Sequence, residues 1–289
     1  MSTLSRDTLA DWIECALLVR KTRPLGFDAL YNYVARLTGG GPAEVGLAVK
    51  EMVRRAHVLG AGYPFEVVGD VAVRARPEAE VTPYAALLLL SSGGPVRQHL
   101  FAVPTPEMAI FFETLTSIAV AAMWGSAGKA VRFGWPSDVG RPPEFDQAVA
   151  WLAERTGTPV GAGYRQPRRK DGGVDVVAWR PFPDGRPGFP ILLVQCTLQD
   201  NLVAKASDVD ARLWGSWLSM DLDPVVALAT PLTIRRGTVW DELALKGMVF
   251  ERLRLAGLVP LDAFTSEDAV WCSTTVDALR DEMGDAESI

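Results

Sequence analysis

The chain has 289 residues, 48% hydrophobic and 22% charged, which excludes a disordered or low-complexity chain and allows a sizeable buried core. With 29 basic and 35 acidic residues the net charge is −6, so the overall field does not attract nucleic acid, and any such binding must come from a local basic patch. Three widely spaced cysteines (Cys15, Cys196, Cys272) argue against a disulfide framework and for a reducing cytoplasm, and with only His57 and His99 a Cys/His zinc site is not expected.

Residues 6–20 carry Leu9, Trp12, Ile13, Ala16 and Leu17 at helical spacing, which predicts a first helix. A second is predicted over "GFDALYNYVARL" and a third over "GPAEVGLAVKEMVRRAHVLG", with Pro42 near its start and Gly60 just past its end. "YPFEVVGDVAVRA" reads as two short strands joined at Gly69-Asp70. Three helices followed by a hairpin is the order of a winged-helix module, which serves either to read DNA or to dock another protein. The basic residues for DNA reading by the third helix are Lys50, Arg54, Arg55 and His57, set against Glu44 and Glu51.

Residues 83–92 predict an apolar helix ending at Gly93-Gly94, and a domain boundary is placed near residue 100, giving domains 1–100 and 101–289. The longest uninterrupted apolar run, residues 84–90, is far short of the about 20 residues a membrane span needs, and the first residues lack the basic-then-apolar order of a signal peptide. A helix is expected from Thr105 onward, with Glu113 inside an otherwise apolar sequence. "GSAGKA" at 125–130 has a Gly-Lys pair but neither the spacing nor the hydroxyl residue of a P-loop. Helices are also expected over 144–157, 203–220 and 240–257, with strands at 174–180, 190–197 and around "PVVALATPLTI"; the acidic end, 280–289, reads as frayed. Strands alternating with helices make the second half α/β, a small mixed sheet covered by helices.

The strand "FPILLVQC" ends a buried apolar run on Gln195. If strands 174–180 and 190–197 form a hairpin symmetric about Gly185, Asp175 lies opposite Gln195 on the same face of the sheet. A carboxylate among Val174, Val176 and Val177 is costly unless something neutralises it. A divalent metal such as Mg²⁺ or Mn²⁺ would do so, with the Gln195 carbonyl as a second oxygen ligand. An Asp–amide hydrogen bond at the end of a hairpin is the plainer alternative. Cys196, on the other side of the strand, reads as core, and Trp179, Trp214 and Trp217 read as packing, with base stacking as the alternative for one of them.

"KDGGVDVVAW", about twenty residues, then "LLVQCT" resembles the PD-(D/E)xK restriction-endonuclease-like superfamily, and within it the Mrr-like branch whose last motif begins with Gln. The pattern of that family is a Glu in an early helix, "GxD" on a strand, "QxK" on the next strand, and a following helix. The matching residues are Glu113 in "FFETL", Asp175 in "GGVDVV" and Gln195 in "VQCT"; Glu144 competes with Glu113 but is explained at a helix start by the dipole. Thr197 stands at the lysine position, and Lys205, at the start of the next predicted helix, is the residue that would replace that charge.

The resemblance implies a metal-dependent nuclease acting on DNA in defence against foreign DNA, with Asp175, Gln195 and a water-mediated Glu113 holding the metal and Lys205 supplying the cation. Arg165, Arg168, Arg169 and Lys170, in the loop before Asp175, would contact phosphates, or else form a solvated loop. Two alternatives stand beside it: a non-catalytic member of the fold that binds DNA or scaffolds a defence complex, and an N-terminal module that docks a protein partner through an exposed apolar patch. A homodimer would bring two sites together for cutting both strands.

Overall fold

The computed structural model describes residues 4–21, 23–68, 72–163, 166–167 and 170–283. The chain divides into two compact units. One takes in residues up to Thr105, Pro231–Thr233 and the chain from Leu261 onward; the other is Pro106–Thr230 with Ile234–Pro260. The boundary near residue 100 therefore lies close to the first crossing, but a continuous domain over 101–289 does not form, because the last helix packs into the first unit.

In the first unit the order is α1 (Arg6–Arg20), β1 (Leu25–Gly26), α2 (Phe27–Thr38), α3 (Pro42–Leu59), β2 (Phe65–Val68), β3 (Ala72–Ala75), α4 (Pro83–Leu89) and α5 (Pro95–His99). Ser5 caps α1 by accepting from the Thr8 N–H, and Thr82 caps α4 by accepting from the Ala85 N–H. The three strands pair antiparallel in the order β1-β3-β2. The expected joint at Gly69-Asp70 lies outside the described residues. α4 is buried along its whole length, which explains why its sequence is apolar without periodicity.

α3 does not present the basic face expected of a DNA reader. Arg55 is fully buried and ion-pairs with Asp11 at 2.7 Å, Glu14 at 2.9 Å and Glu51 at 3.1 Å. Glu14 also accepts from the Tyr63 hydroxyl at 2.6 Å and the Tyr84 hydroxyl at 2.8 Å. Arg54 pairs with Glu51 at 2.7 Å. Two of the four basic residues of α3 thus serve the ion network that ties it to α1. The outward side of the helix carries exposed Leu47, Val53 and Val58. Phe27 and Tyr31, one turn apart on α2, and Val67 and Val68 on β2 are exposed as well.

The second unit runs α6 (Pro106–Met123), β4 (Lys129–Arg132), α7 (Phe145–Thr156), β5 (Val176–Trp179), β6 (Ile191–Cys196), α8 (Leu202–Lys205), α9 (Ala211–Trp217), β7 (Val225–Ala229), α10 (Thr238–Lys246), β8 (Met248–Phe250) and α11 (Arg252–Leu258). Its five-stranded sheet has the order β4-β5-β6-β7-β8, with β4, β5 and β6 antiparallel and β6, β7 and β8 parallel. The unit is α/β with a mixed sheet. α6 packs on β4, β5 and β6 and against α11. By length and composition alone it is apolar enough to cross a membrane; one side of it packs on the sheet, and its Glu113 ion-pairs with Arg132 of β4.

Several expected elements differ. The single helix over 203–220 is two short ones, α8 and α9, with Asp210 capping the second through the Arg212 and Leu213 N–H groups. The helix over 240–257 is interrupted by β8. At the break, a Cβ on Gly247 would come within 2.3 Å of the Val226 carbonyl, so a side chain there would block the pairing of β8 with β7. β4 has no counterpart in the sequence reading. The chain from Leu261 forms α12 (Ser266–Met283), which packs on α1, α4 and α5; the helical part of the acidic end is therefore ordered up to Met283, and residues 284–289 lie outside the described residues.

Replacing Arg55 by Ala leaves Asp11, Glu14 and Glu51 buried without their shared cation, a change that costs about 3–5 kcal/mol. Urea unfolding should show this loss for Arg55→Ala and a change of less than about 0.5 kcal/mol for Lys50→Ala, on the exposed side of the same helix.

Candidate active site

The β5–β6 ladder pairs Val176 with Val194 and Val177 with Leu193, so Asp175, one residue before the ladder, lies opposite Gln195 as the symmetric hairpin requires. The Asp175 N–H donates to the Val194 carbonyl at 2.9 Å. Gly185, at the turn, has φ 67°, the left-handed conformation glycine adopts without strain. Upstream, Gly173 has φ 81°, and a Cβ on it would lie 2.6 Å from the Asp208 carbonyl; the glycine lets the chain enter β5 against that backbone.

Asp175 and Gln195 are 8% and 5% exposed. One Asp175 carboxylate oxygen, Oδ2, accepts from Gln195 Nε2 at 2.7 Å and from the Cys196 N–H at 2.7 Å. Gln195 Nε2 also donates to the Cys196 carbonyl at 2.9 Å. Two acceptors fix the orientation of the amide, because turning it over would set oxygen against oxygen twice. Gln195 Oε1 is then a buried acceptor with no hydrogen-bond partner. The Asp–amide hydrogen bond expected as the plainer alternative at the hairpin end is thus formed, and it leaves the amide oxygen without a partner.

Two other carboxylates come from two further segments. Glu113, on α6, is pressed against the loop after β4: a Cβ on Gly134 would lie 2.5 Å from Glu113 Oε2. That loop is in turn tied to Asp175, whose carbonyl accepts from the Phe133 N–H at 2.6 Å and the Gly134 N–H at 2.9 Å. Asp171, in the turn before β5, accepts from the Gly173 N–H at 2.7 Å. Burial, then the charges of Glu113 and Asp171, push the Asp175 carboxyl well above the usual carboxylate range; the Cys196 N–H and the charge of Lys205 oppose the shift without cancelling it. Glu113 is also raised, by burial first, with Arg132 opposing.

The residues named from the sequence are brought together unevenly. Glu113, Asp175 and Gln195 share one region. Glu113 is ion-paired through Oε2 with Arg132, which also holds Asp138 at 2.7 Å. Lys205 ends α8, within electrostatic range of Asp175, and its Nζ lies 3.6 Å from Asp208 Oδ2. Thr197 is buried, and its N–H donates to the Ala229 carbonyl. Arg165, Arg168 and Arg169 lie outside the described residues, and Lys170 is exposed. Burial, then Asp175 and Glu113, raise the Cys196 thiol, which fits it for packing rather than attack. Trp179, Trp214 and Trp217 are buried, the last two in edge-to-face contact with each other and with Phe145.

Arg132, Asp138 and Asp171 were not singled out in the sequence. Arg132 could have been: in "KAVRF" a charged residue stands in an apolar strand, the same signal that made Gln195 visible. Among the described residues no three His, Cys, Asp or Glu side chains are placed to hold a metal ion. The donors that fit one are the oxygens of Asp175 and the unpartnered Oε1 of Gln195, with water to complete the shell, a set suited to Mg²⁺ or Mn²⁺. No family model, curated protein or solved structure matches the chain, so the site is read from its own geometry.

The raised Asp175 carboxyl fixes a sign. Folding holds its proton more tightly than the unfolded chain does, so the stability this adds is full in acid and is lost as pH rises above the unfolded carboxylate range. Asn at this position keeps an acceptor for Gln195 Nε2 and the Cys196 N–H without the buried ionisation. Without divalent metal, Asp175→Asn should melt above wild type at pH 8, with the difference shrinking toward pH 5. Melts across that range check it.

Proposed function

We propose that this protein is a metal-dependent nuclease of the restriction-endonuclease-like fold, acting on DNA in defence against foreign DNA. The observation that carries the reading is the Asp175–Gln195 pair: a buried carboxylate opposite an amide whose carbonyl oxygen is left unpartnered. A helix bearing Glu113, an antiparallel run β4-β5-β6 and a parallel β7 beyond it support the same fold. So do the positions of the motif residues, at the head of β5 and near the end of β6.

A divalent cation held by Asp175 and Gln195 would polarise a phosphate oxygen and make bound water more acidic. The remaining work falls to the chain. Arg132 opposes the rise of the Glu113 carboxyl and holds it in place beside the Gly134 loop. Lys205 supplies positive charge toward Asp175 from a helix rather than from the strand position that Thr197 occupies, where it can orient water or meet charge developing on the phosphate. The three cysteines are free thiols, in keeping with a cytoplasmic setting.

The strand and helix order of the first unit supports a winged-helix module. The engagement of Arg54 and Arg55 with acids of α1 and α3, and the exposed Leu47, Val53 and Val58, favour docking of a protein partner over DNA reading by α3. A second reading of the whole protein, a non-catalytic scaffold of the same fold, has its own support in Thr197 at the lysine position and in Asp208 beside Lys205.

Cleavage of plasmid and linear DNA with Mg²⁺ or Mn²⁺ separates the two. The nuclease reading expects metal-dependent cutting that falls to background in Asp175→Ala and by about 10²–10³-fold in Lys205→Ala, the loss typical of removing one electrostatic stabiliser. No cutting by wild type with either metal, or undiminished cutting by Asp175→Ala, would contradict it.

A further inference from the structure

Beside the site stands an exposed tryptophan that the proposed chemistry does not use. Trp135 follows Phe133 and Gly134, whose N–H groups both donate to the Asp175 carbonyl. Gly134 is also the residue pressed on the Glu113 carboxylate. Trp135 is thus fixed one residue away from contacts with both acids, yet it is 39% exposed. Two cations lie over its ring at the outer edge of cation–π range, Lys170 Nζ at 5.6 Å and the Arg141 guanidinium at 5.7 Å from the centroid.

Arg141 is unusual in itself. It is 3% exposed, stacks on Phe133 at 4.4 Å, and donates to the carbonyls of Pro142 and Lys170. Among the described residues no carboxylate lies within ion-pairing distance of it, and its Nε has no hydrogen-bond partner. Asp171 is the acid whose charge reaches it, from beyond that distance. A buried guanidinium without a carboxylate leaves positive charge under the surface. Here that surface displays an indole face and the exposed ammonium of Lys170. Together they offer an aromatic plane for a base and positive charge for its phosphate, the pairing that single-stranded nucleic-acid sites use.

We propose that Trp135, Lys170 and Arg141 form a nucleotide subsite beside Asp175. An unpaired base stacks on Trp135, and Lys170, backed by the field of Arg141, draws the adjoining phosphate. The substrate is then a strand with an unstacked nucleotide at the cleavage point: single-stranded DNA, or a duplex with an unpaired base there. This deepens the nuclease reading and rests on it for the choice of nucleic acid as ligand.

Fluorescence anisotropy with a labelled single-stranded oligonucleotide and the blunt duplex of the same sequence, both in EDTA, measures binding apart from cleavage. Wild type should bind the single strand more tightly than the duplex. Trp135→Ala should weaken single-strand binding by about 10-fold or more, with little change on the duplex, as loss of one stacked base predicts. Trp135→Phe, which keeps an aromatic face, should restore most of it. Equal binding of the single strand by wild type and Trp135→Ala, equal losses on both DNAs, or no binding by wild type would each overturn the subsite. Cleavage measured on the same preparations keeps the two readings apart: Asp175-dependent cutting alongside any of those results overturns the subsite alone, whereas absence of Asp175-dependent cutting overturns the nuclease reading.

Discussion

The site depends on how one oxygen of Asp175 is held. Gln195 Nε2 and the Cys196 N–H both converge on Oδ2. These bonds exist because the β5–β6 register brings the two residues opposite each other at the open end of a hairpin. They satisfy one side of the carboxylate and leave the Gln195 carbonyl oxygen without a partner. The other side remains among Glu113 and Asp171, whose charges add to burial in raising the carboxyl above the usual carboxylate range. Around it, α6 brings Glu113 in its ion pair with Arg132, and the two glycines at 172 and 173 admit a turn that a side chain would obstruct.

The two units solve the problem of buried charge differently. Around Arg55 the acids have a shared cation and two tyrosine hydroxyls, and the result is a network that fastens helix to helix. Around Asp175 the cations are spent or distant. Arg132 is engaged by Glu113 and Asp138, Lys205 lies beside Asp208, and Arg141 is paired with carbonyls rather than with acids. Closed networks hold structure; the Asp175 site instead keeps a buried acceptor without a partner, Gln195 Oε1, beside a raised carboxyl, a departure of the kind that clusters at functional sites.

Much of this was legible in the sequence where local signals and tertiary structure agree. The polar residue ending an apolar strand, and the glycine at the turn, sufficed to pair Asp175 with Gln195. The order of helices and strands in the first unit, and the mixed sheet of the second, also followed from periodicity. What stayed hidden depends on distance along the chain. β4 is four residues long and finds its place only against β5, so its partner Arg132 could not be matched to Glu113. The basic residues of α3 looked like a surface because nothing local reveals that Arg55 meets Asp11 and Glu14 from α1. The return of α12 to the first unit is likewise a matter of packing between segments far apart in sequence. Trp135 went unremarked because tryptophan is usually core, and only the structure leaves it in solvent.

The most direct test of the account is binding of Mn²⁺ itself, followed by calorimetry between pH 6 and 8 with wild type and Asp175→Asn. The account predicts one site that tightens as pH rises, because the metal competes with a proton that burial makes Asp175 hold more tightly than an ordinary carboxyl, and that is lost in Asp175→Asn. No saturable binding, or binding that is the same in both proteins and indifferent to pH, would contradict it.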